Sequence, residues 1–198
     1  MAIAPLPLLM PPLTPLTTPR LLLRGAGPDD AAALLAYRLR NRDHLQPWEP
    51  ARPAAFHTLA ATRQRLEEQA AQMQRGQALH LMLAPVSDPG TVIGECNFTN
   101  IVRGPFQACH LGFSIDAGAQ GQGLMHEALT RALAYCFEAL RLHRVMANHL
   151  PDNLRSARLL ARLGFEQEGL ARAYLHINGA WADHVLTSLI NPAYGDAP

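Results

Sequence analysis

Residues 107–140, QACHLGFSIDAGAQGQGLMHEALTRALAYCFEAL, carry the strongest structural signal in this sequence. The residues up to Ile115 predict a strand, and those from Leu124 onward repeat apolar side chains at helical spacing. A glycine-rich loop joins the two elements. A helix N-terminus presents unpaired N–H groups and partial positive charge, and preceding glycines let a phosphate approach them closely. Residues 120–124 are therefore predicted to hold a phosphate or pyrophosphate through the main chain.

A tight strand-to-helix connection is the alternative interpretation of this loop, and two other phosphate motifs are excluded. No GKS or GKT follows the glycines, so the loop is not a Walker loop. No GxGxxG is present, and the preceding strands form a meander rather than a βαβ unit. The sequence has no lysine at all, since its 17 basic residues are all arginine. This composition excludes Schiff-base chemistry on a lysine.

The flanking patterns predict further elements around one central sheet. The predicted strands lie at 20–24, 78–84, 91–100, 143–149, from 165 onward and at 182–189; the predicted helices lie at 28–40, 58–75 and 153–163. A strand, two helices, a three-strand meander and then helix, strand, helix and two strands do not alternate as a doubly wound sheet does. The order predicts a mixed α/β fold in a single domain at residues 20–190.

The composition limits where and how the protein acts. The first 19 residues are apolar and uncharged but hold six prolines, which predicts a flexible tail rather than a signal peptide or membrane span. Residues 191–198 are predicted as a C-terminal tail. A net charge of +1 gives no broad basic field, so no direct nucleic-acid binding is expected. Three cysteines without a CxxC predict reduced, buried thiols in a cytoplasmic protein, and no metal site is expected.

Five segments resemble a known enzyme family: NRDHLQPWEP (41–50), CNFTNIVRGPFQACHLGFSI (96–115), GQGLMHEAL (121–129), HRVMANHLPDNLRSARLLARLGFEQEG (143–169) and NGAWADHVL (178–186). They are similar to the ribosomal-protein alanine N-acetyltransferases, the RimJ type of the GNAT acetyltransferases. The resemblance implies the GNAT acyl-CoA N-acyltransferase fold, with a central, mostly antiparallel, twisted sheet and helices on both faces. This sequence departs from the family pattern at Gly118, where the pyrophosphate loop of the family usually has Arg, Gln or Lys.

The resemblance also implies a binding site for acetyl-CoA as co-substrate. The pantetheine arm maps to the main chain of Phe113, Ser114 and Ile115, and the pyrophosphate maps to Gln120, Gly121, Gln122, Gly123, Leu124 and Met125. Asn153 matches a pantetheine contact, and Ser156 matches a hydroxyl that can reach the leaving sulfur. Simpler interpretations exist, since Asn153 could cap a helix and Ser156 could bond within its first turn.

Two side chains are candidates for the general base that takes a proton from the acceptor amine. Glu95 is unusual as a carboxylate in an apolar strand, and His110 lies on the following strand. If the connecting loop has even length, both share one sheet face with Asn97, and a carboxylate could lie beside the imidazole. Glu95 is the better candidate, because the simpler interpretation of His110 is a hydrogen-bonded strand residue. Residues Arg155, Arg158 and Arg162 share a helix face that could meet the CoA 3′-phosphate or only solvent.

The implied activity is transfer of acetyl from acetyl-CoA to the N-terminal α-amine, with alanine as first residue, of a ribosomal protein. One alternative acceptor is another amine, on an antibiotic, a polyamine or a different protein. A third hypothesis is a non-catalytic ribosome-assembly or regulatory protein that keeps the fold. Its sign would be a broken CoA loop, whereas Gly121 and Gly123 are intact. Monomer and homodimer both remain open.

Overall fold

One eight-stranded sheet forms the centre of the computed structural model, which describes residues 13–194. The strands are β1 (Leu16–Thr17), β2 (Leu21–Gly25), β3 (Leu79–Pro85), β4 (Gly94–Val102), β5 (Ala108–Ile115), β6 (Arg144–His149), β7 (Glu166–Ile177) and β8 (Ala180–Ile190). The helices are α1 (Ala31–Arg40), α2 (Arg42–Leu45), α3 (Leu59–Gln74), α4 (Leu124–Glu138) and α5 (Leu154–Arg162). The sheet order is β1-β2-β3-β4-β5-β6-β8-β7, and every pair is antiparallel except β5–β6.

The side-chain alternation of β3 shows how the sheet is covered on both faces. Leu79, Leu81 and Leu83 pack into one core with α4, while Met82 packs into a second core with α1 and α3. A strand buried on both faces reads as a nearly continuous apolar run, as residues 78–84 do apart from His80. Full burial of each such leucine contributes about 1.5–3 kcal/mol. The predicted mixed α/β fold, with a mostly antiparallel sheet and helices on both faces, is confirmed.

Helix α4 is the main support of the larger core. Its buried side chains recur at helical spacing and are Met125, Ala128, Leu129, Ala132, Leu133 and Cys136. Gly123 precedes the helix in a left-handed conformation, with φ of +76°. The helix ends at Glu138, two residues before the predicted end, and Leu140 then packs into the core from the connecting turn. Because α4 is fixed along its length by apolar packing, its N-terminus is held rigidly beside β5.

The first strand begins inside the segment that the sequence predicted to be a tail. Leu16 is only 5% exposed, and Leu16–Thr17 pairs with β2. The Thr18 hydroxyl donates a hydrogen bond of 2.6 Å to Glu127 of α4. Burying the apolar Leu16 side chain at the sheet edge is more favourable than leaving it in solvent. The proline pattern of this segment did not indicate the strand. The remainder of that segment, residues 1–12, lies outside the described residues, as do residues 195–198.

One further difference concerns the segment between α1 and α3. Residues 41–50 were predicted as a loop, but they contain the short helix α2 and a following 3-10 turn. The two prolines that indicated a loop lie after α2 and therefore do not interrupt it.

Among residues 13–194, no helix is long and apolar enough to cross a membrane.

Candidate active site

The strands β5 and β6 diverge, and this opening positions the site. They pair only where Ala108–His110 meets Arg144–Met146. Beyond His110, β5 runs on to Ile115 while β6 follows β8 to His149. The β6-facing edge of the second half of β5 therefore has main-chain groups available to an extended ligand. The predicted pantetheine residues Phe113, Ser114 and Ile115 lie on this part of β5.

The glycine-rich loop lies at the wide end of the opening, directly before α4. Gly121 and Gly123 have φ of +73° and +76°, a conformation that L side chains rarely adopt. A Cβ at Gly121 would meet nothing within 4 Å, so packing does not demand glycine there. The glycines are required by the path of the backbone, which leaves open space before the first N–H groups of α4. This arrangement fits a pyrophosphate held by main chain.

Gln120 connects the two sides of the opening through its side chain. Its Oε1 accepts a hydrogen bond of 2.5 Å from Arg155 of α5, and its Nε2 donates to His44 of α2 at 2.8 Å. Arg155 thus lies within reach of any anion bound at the loop, and Gln120 could yield that contact to a phosphate. The sequence identified Arg155 only as part of a helix face, and nothing in the sequence indicated His44.

A shallow groove of about 790 Å³ continues from Gly123 along the outer face of α4. Its side chains include four basic or imidazole groups, which are Arg20, His126, Arg131 and Arg162. Arg20 also donates to Glu127 and to the Gln122 carbonyl, which ties the loop to the start of β2. The groove matches the size and charge that a nucleotide phosphate would need. Arg162 is the one member of the predicted arginine face that lines it.

Asn153 and Ser156 begin α5, which follows the end of β6 at the wide end of the opening. The Ser156 N–H donates to Asn153 Oδ1 at 3.1 Å, so Asn153 caps the helix as the simpler interpretation predicted. That contact occupies one side-chain oxygen and leaves the amide nitrogen of Asn153 for a ligand. The half-buried Ser156 stays a candidate through its hydroxyl.

Glu95 and His110 share one sheet face, as the even-loop hypothesis predicted, but they do not meet. Glu95 lies opposite Ser114, whereas His110 lies opposite Thr99, four residues further along β4. At the rise of a strand this separates them by about 13 Å. The predicted pairing of a carboxylate with the His110 imidazole is therefore wrong. An even register places residues on one face without making them neighbours.

Glu95 instead binds Arg38 of α1. Its side chain is 5% exposed, and Arg38 also donates to both oxygens of Glu49, at 3.3 and 3.2 Å. Burial opposes the charge of Arg38, but Glu95 and Glu49 raise its pKa above the ordinary value. Beside this group the Tyr37 hydroxyl donates to Ser114 Oγ at 2.9 Å. The Glu95 carboxylate is therefore already engaged by a guanidinium, and it has no contact with His110.

His110 is the other candidate for the general base. Burial lowers the pKa of His110, which favours the neutral imidazole at pH 7, and its Nδ1 has no partner in the described part of the chain. Between His110 and Ser114 lies Gly112, where a Cβ would meet nothing within 4 Å. The face that Glu95 and His110 share therefore has an open patch at its centre.

The cysteines take no part in this face or in the opening. Cys96, Cys109 and Cys136 are buried and unpaired within residues 13–194. Burial raises the pKa of Cys109 to about 12 and also raises the pKa values of Cys96 and Cys136. They remain protonated at neutral pH and are unsuited to nucleophilic chemistry.

Comparison with known proteins identifies the family to which this fold belongs. The sequence model of the acetyltransferase (GNAT) domain matches residues 20–166. The chain belongs to the GNAT acetyltransferase family. This GNAT acetyltransferase takes its acetyl group from acetyl-CoA and transfers it to an amine. The predicted family, enzyme class and acetyl donor are thereby confirmed.

The relatives of this GNAT acetyltransferase include curated enzymes and solved structures. It is 46% identical to [Ribosomal protein uS5]-alanine N-acetyltransferase of Escherichia coli K12, over 91% of this chain and 93% of that protein. The crystal structure of ribosomal-protein-S5-alanine acetyltransferase from Vibrio fischeri has a TM-score of 0.87 and 39% identity, covering 93% and 100% of the two chains. RimJ of Mycobacterium smegmatis in complex with CoA-disulfide has a TM-score of 0.83 and 29% identity, covering 93% and 89%.

Proposed function

We propose that this N-acetyltransferase acetylates the N-terminal α-amine of a ribosomal protein, with alanine as the favoured first residue. The observation that carries this proposal is the 46% identity, over nearly the whole length of both chains, to the E. coli uS5-alanine enzyme. The open patch at Gly112 supports it, because it leaves room for a chain end with a small side chain. The buried, reduced thiols and a ribosomal acceptor agree with a cytoplasmic enzyme.

Acetyl-CoA and the acceptor amine bind on opposite faces of the sheet. The main chain of Phe113, Ser114 and Ile115 holds the pantetheine along the splayed strand. Residues 120–125 hold the pyrophosphate, and the groove along α4 takes the nucleotide. Asn153 contacts the pantetheine through its amide nitrogen, and Ser156 gives its proton to the departing sulfur and regains one from solvent. Acetyl-CoA, when bound, supplies the activated acetyl group.

The acceptor amine lies on the opposite face, over Gly112. A terminal amine has a pKa near 8, so about a tenth of it is neutral at pH 7 and a base faces a modest task. His110 is proposed as the proton acceptor, because its imidazole is neutral and its Nδ1 has no described partner. Glu95, held in place by Arg38, is proposed to orient the amine or its water shell.

Two variants separate these roles. We expect His110→Gln to lower kcat by about 10²–10⁴-fold and to flatten the acidic limb of the pH–rate profile. Glu95→Gln should instead raise the KM of the acceptor peptide and leave that limb in place. The measurement is the pH dependence of kcat for both variants. A flattened limb in Glu95→Gln alone would assign the base to Glu95 and contradict the proposal for His110.

The function itself is tested by thiol release from acetyl-CoA. The acceptors are peptides with free N-terminal Ala, Ser or Met, a peptide with a blocked N-terminus, and spermidine, with Ser156→Ala measured alongside. Turnover restricted to the free Ala or Ser peptides is expected, and a slower Ser156→Ala enzyme supports the role of that hydroxyl. Turnover with spermidine alone would leave the acetyltransferase in place and remove the protein acceptor.

A further inference from the structure

A second, smaller cavity lies beside the Glu95–Arg38 ion pair, between α1, α2 and the segment that follows α2. Its volume is about 110 Å³. The charged and imidazole side chains that line it are Arg38, Arg42, Glu49, Arg52 and His57. It opens on the acceptor face, because Arg38 binds Glu95, which lies opposite Ser114 on the splayed strand. No function described above uses this cavity.

The charges around the cavity are unbalanced toward the positive. Both nearby carboxylates, Glu49 and Glu95, already bind Arg38. Neither Arg42 nor Arg52 has a carboxylate within 4 Å in the described part of the chain. Arg52 stacks on the Phe56 ring at 4.8 Å, which fixes its guanidinium and leaves its N–H edge to bind an anion.

Two buried polar atoms on the wall of the cavity also lack partners. They are Arg38 Nε and His57 Nδ1, for which the described residues provide no hydrogen bond. Burial, and then the surrounding arginines, lower the pKa of His57. The ring therefore favours its neutral form and does not offset the positive charge of the arginines. Buried polar groups in native structures are normally satisfied, and a missing ligand is one physical reason for an exception.

We propose that this cavity binds the carboxylate of a glutamate or aspartate side chain within the first few residues of the acceptor polypeptide. The inference rests on the proposed function, which brings a polypeptide end to the adjacent face. The volume suits one side-chain carboxylate, and guanidinium groups bind carboxylates through paired hydrogen bonds. A nucleic-acid backbone is less suited, because it requires an extended basic stripe rather than one small pocket.

The test uses peptides that begin with free alanine and carry one glutamate at successive positions, each matched to a peptide with glutamine there. Initial rates of thiol release give KM for each pair, and fluorescence anisotropy of labelled peptides gives binding independently of turnover. At one position, we expect KM and Kd to be about tenfold lower for the glutamate peptide. Arg52→Gln should reduce this preference to less than about twofold.

The control variant is Arg63→Gln, which alters an exposed arginine on α3 that does not line the cavity. It should keep the full glutamate preference, and thermal unfolding checks that both variants are folded. Equal affinity for glutamate and glutamine peptides at every position would overturn the inference, as would a preference that survives in Arg52→Gln. RNA binding that depends on Arg52 without any glutamate preference would also overturn it. Failure of the proposed function is distinct, since no peptide would then be acetylated.

Discussion

Arg38 joins two carboxylates that come from different parts of the chain, Glu95 on β4 and Glu49 after α2. Its guanidinium is largely buried, and the two carboxylates keep it protonated. Breaking a buried ion pair from one side leaves the other charge uncompensated, which costs far more than the pair contributes when intact. The sequence marked Glu95 as unusual but could not identify its partner, because Arg38 lies 57 positions away on another element.

The substitution Arg38→Met tests the cost of the uncompensated charge. We expect the free energy of unfolding to fall by about 3–5 kcal/mol, because Glu95 stays buried without its cation. The double variant Arg38→Met with Glu95→Gln should recover part of this loss, since it removes the orphaned charge. Urea unfolding of the three proteins gives the values. A double variant no more stable than the single one would show that the ion pair is not the cause.

Gly112 allows a graded test of the open patch on the acceptor face. Gly112→Ala and Gly112→Leu place progressively larger side chains where the structure has open space. We expect kcat/KM for the free-Ala peptide to fall moderately for alanine and about 100-fold for leucine, because the acceptor is displaced. The affinity for acetyl-CoA, measured by calorimetry, should stay within about twofold of the parent value. Equal losses for donor and acceptor would place Gly112 elsewhere in the mechanism.

At the scale of elements, local patterns predicted most boundaries to within a few residues. The strand predicted at 20–24 is Leu21–Gly25, and the helix predicted at 58–75 is Leu59–Gln74. Local patterns could not predict the divergence of β5 from β6, because it depends on contacts with β4 and β8 rather than on the sequence of β5. For the same reason the sequence placed Glu95 and His110 on one face without giving the distance between them.

The loop before α4 is an element whose glycines can be tested separately. Gly121→Ala and Gly123→Ala force a side chain into left-handed backbone, which costs about 1–2 kcal/mol per residue. We expect the KM for acetyl-CoA to rise about tenfold while acceptor KM changes little. The matched control is Gly118→Ala, whose φ is not positive and whose new Cβ would lie 3.4 Å from Asp116. An equal effect at Gly118 would mean that backbone conformation is not the reason.

For the whole molecule, partly or fully buried histidines link stability to pH. Burial lowers the pKa values of His80 and His110, and burial together with nearby arginines lowers that of His57. His80 bonds Asn97 at 2.7 Å and Gln72 at 3.0 Å, which ties β3 to β4 and α3. The unfolded chain binds protons at these rings more tightly than the folded chain does. Their contribution is therefore complete above about pH 6.5 and is lost as pH falls toward the lowered values.

We expect the midpoint of thermal unfolding to fall between pH 7.5 and pH 5, before the carboxylates titrate. His80→Gln should make this fall shallower, because it removes one group that takes up a proton on unfolding. The comparison uses the slope against pH rather than the absolute midpoint, since the variant itself alters packing. His176→Gln, at an exposed position on β7, serves as the control and should keep the parent slope. An unchanged slope in His80→Gln would contradict the assignment.

The contact between the Asn178 N–H and the Glu49 carbonyl, at 3.0 Å, has a topological consequence. Through it the β7–β8 turn reaches the segment after α2, and Glu49, Arg38, Glu95 and the sheet complete a closed circuit of contacts. A polypeptide that passes through this closed ring of contacts must enter with one of its own ends, unless one of the contacts first breaks. A polypeptide terminus meets that requirement, whereas a loop in the middle of a folded chain does not.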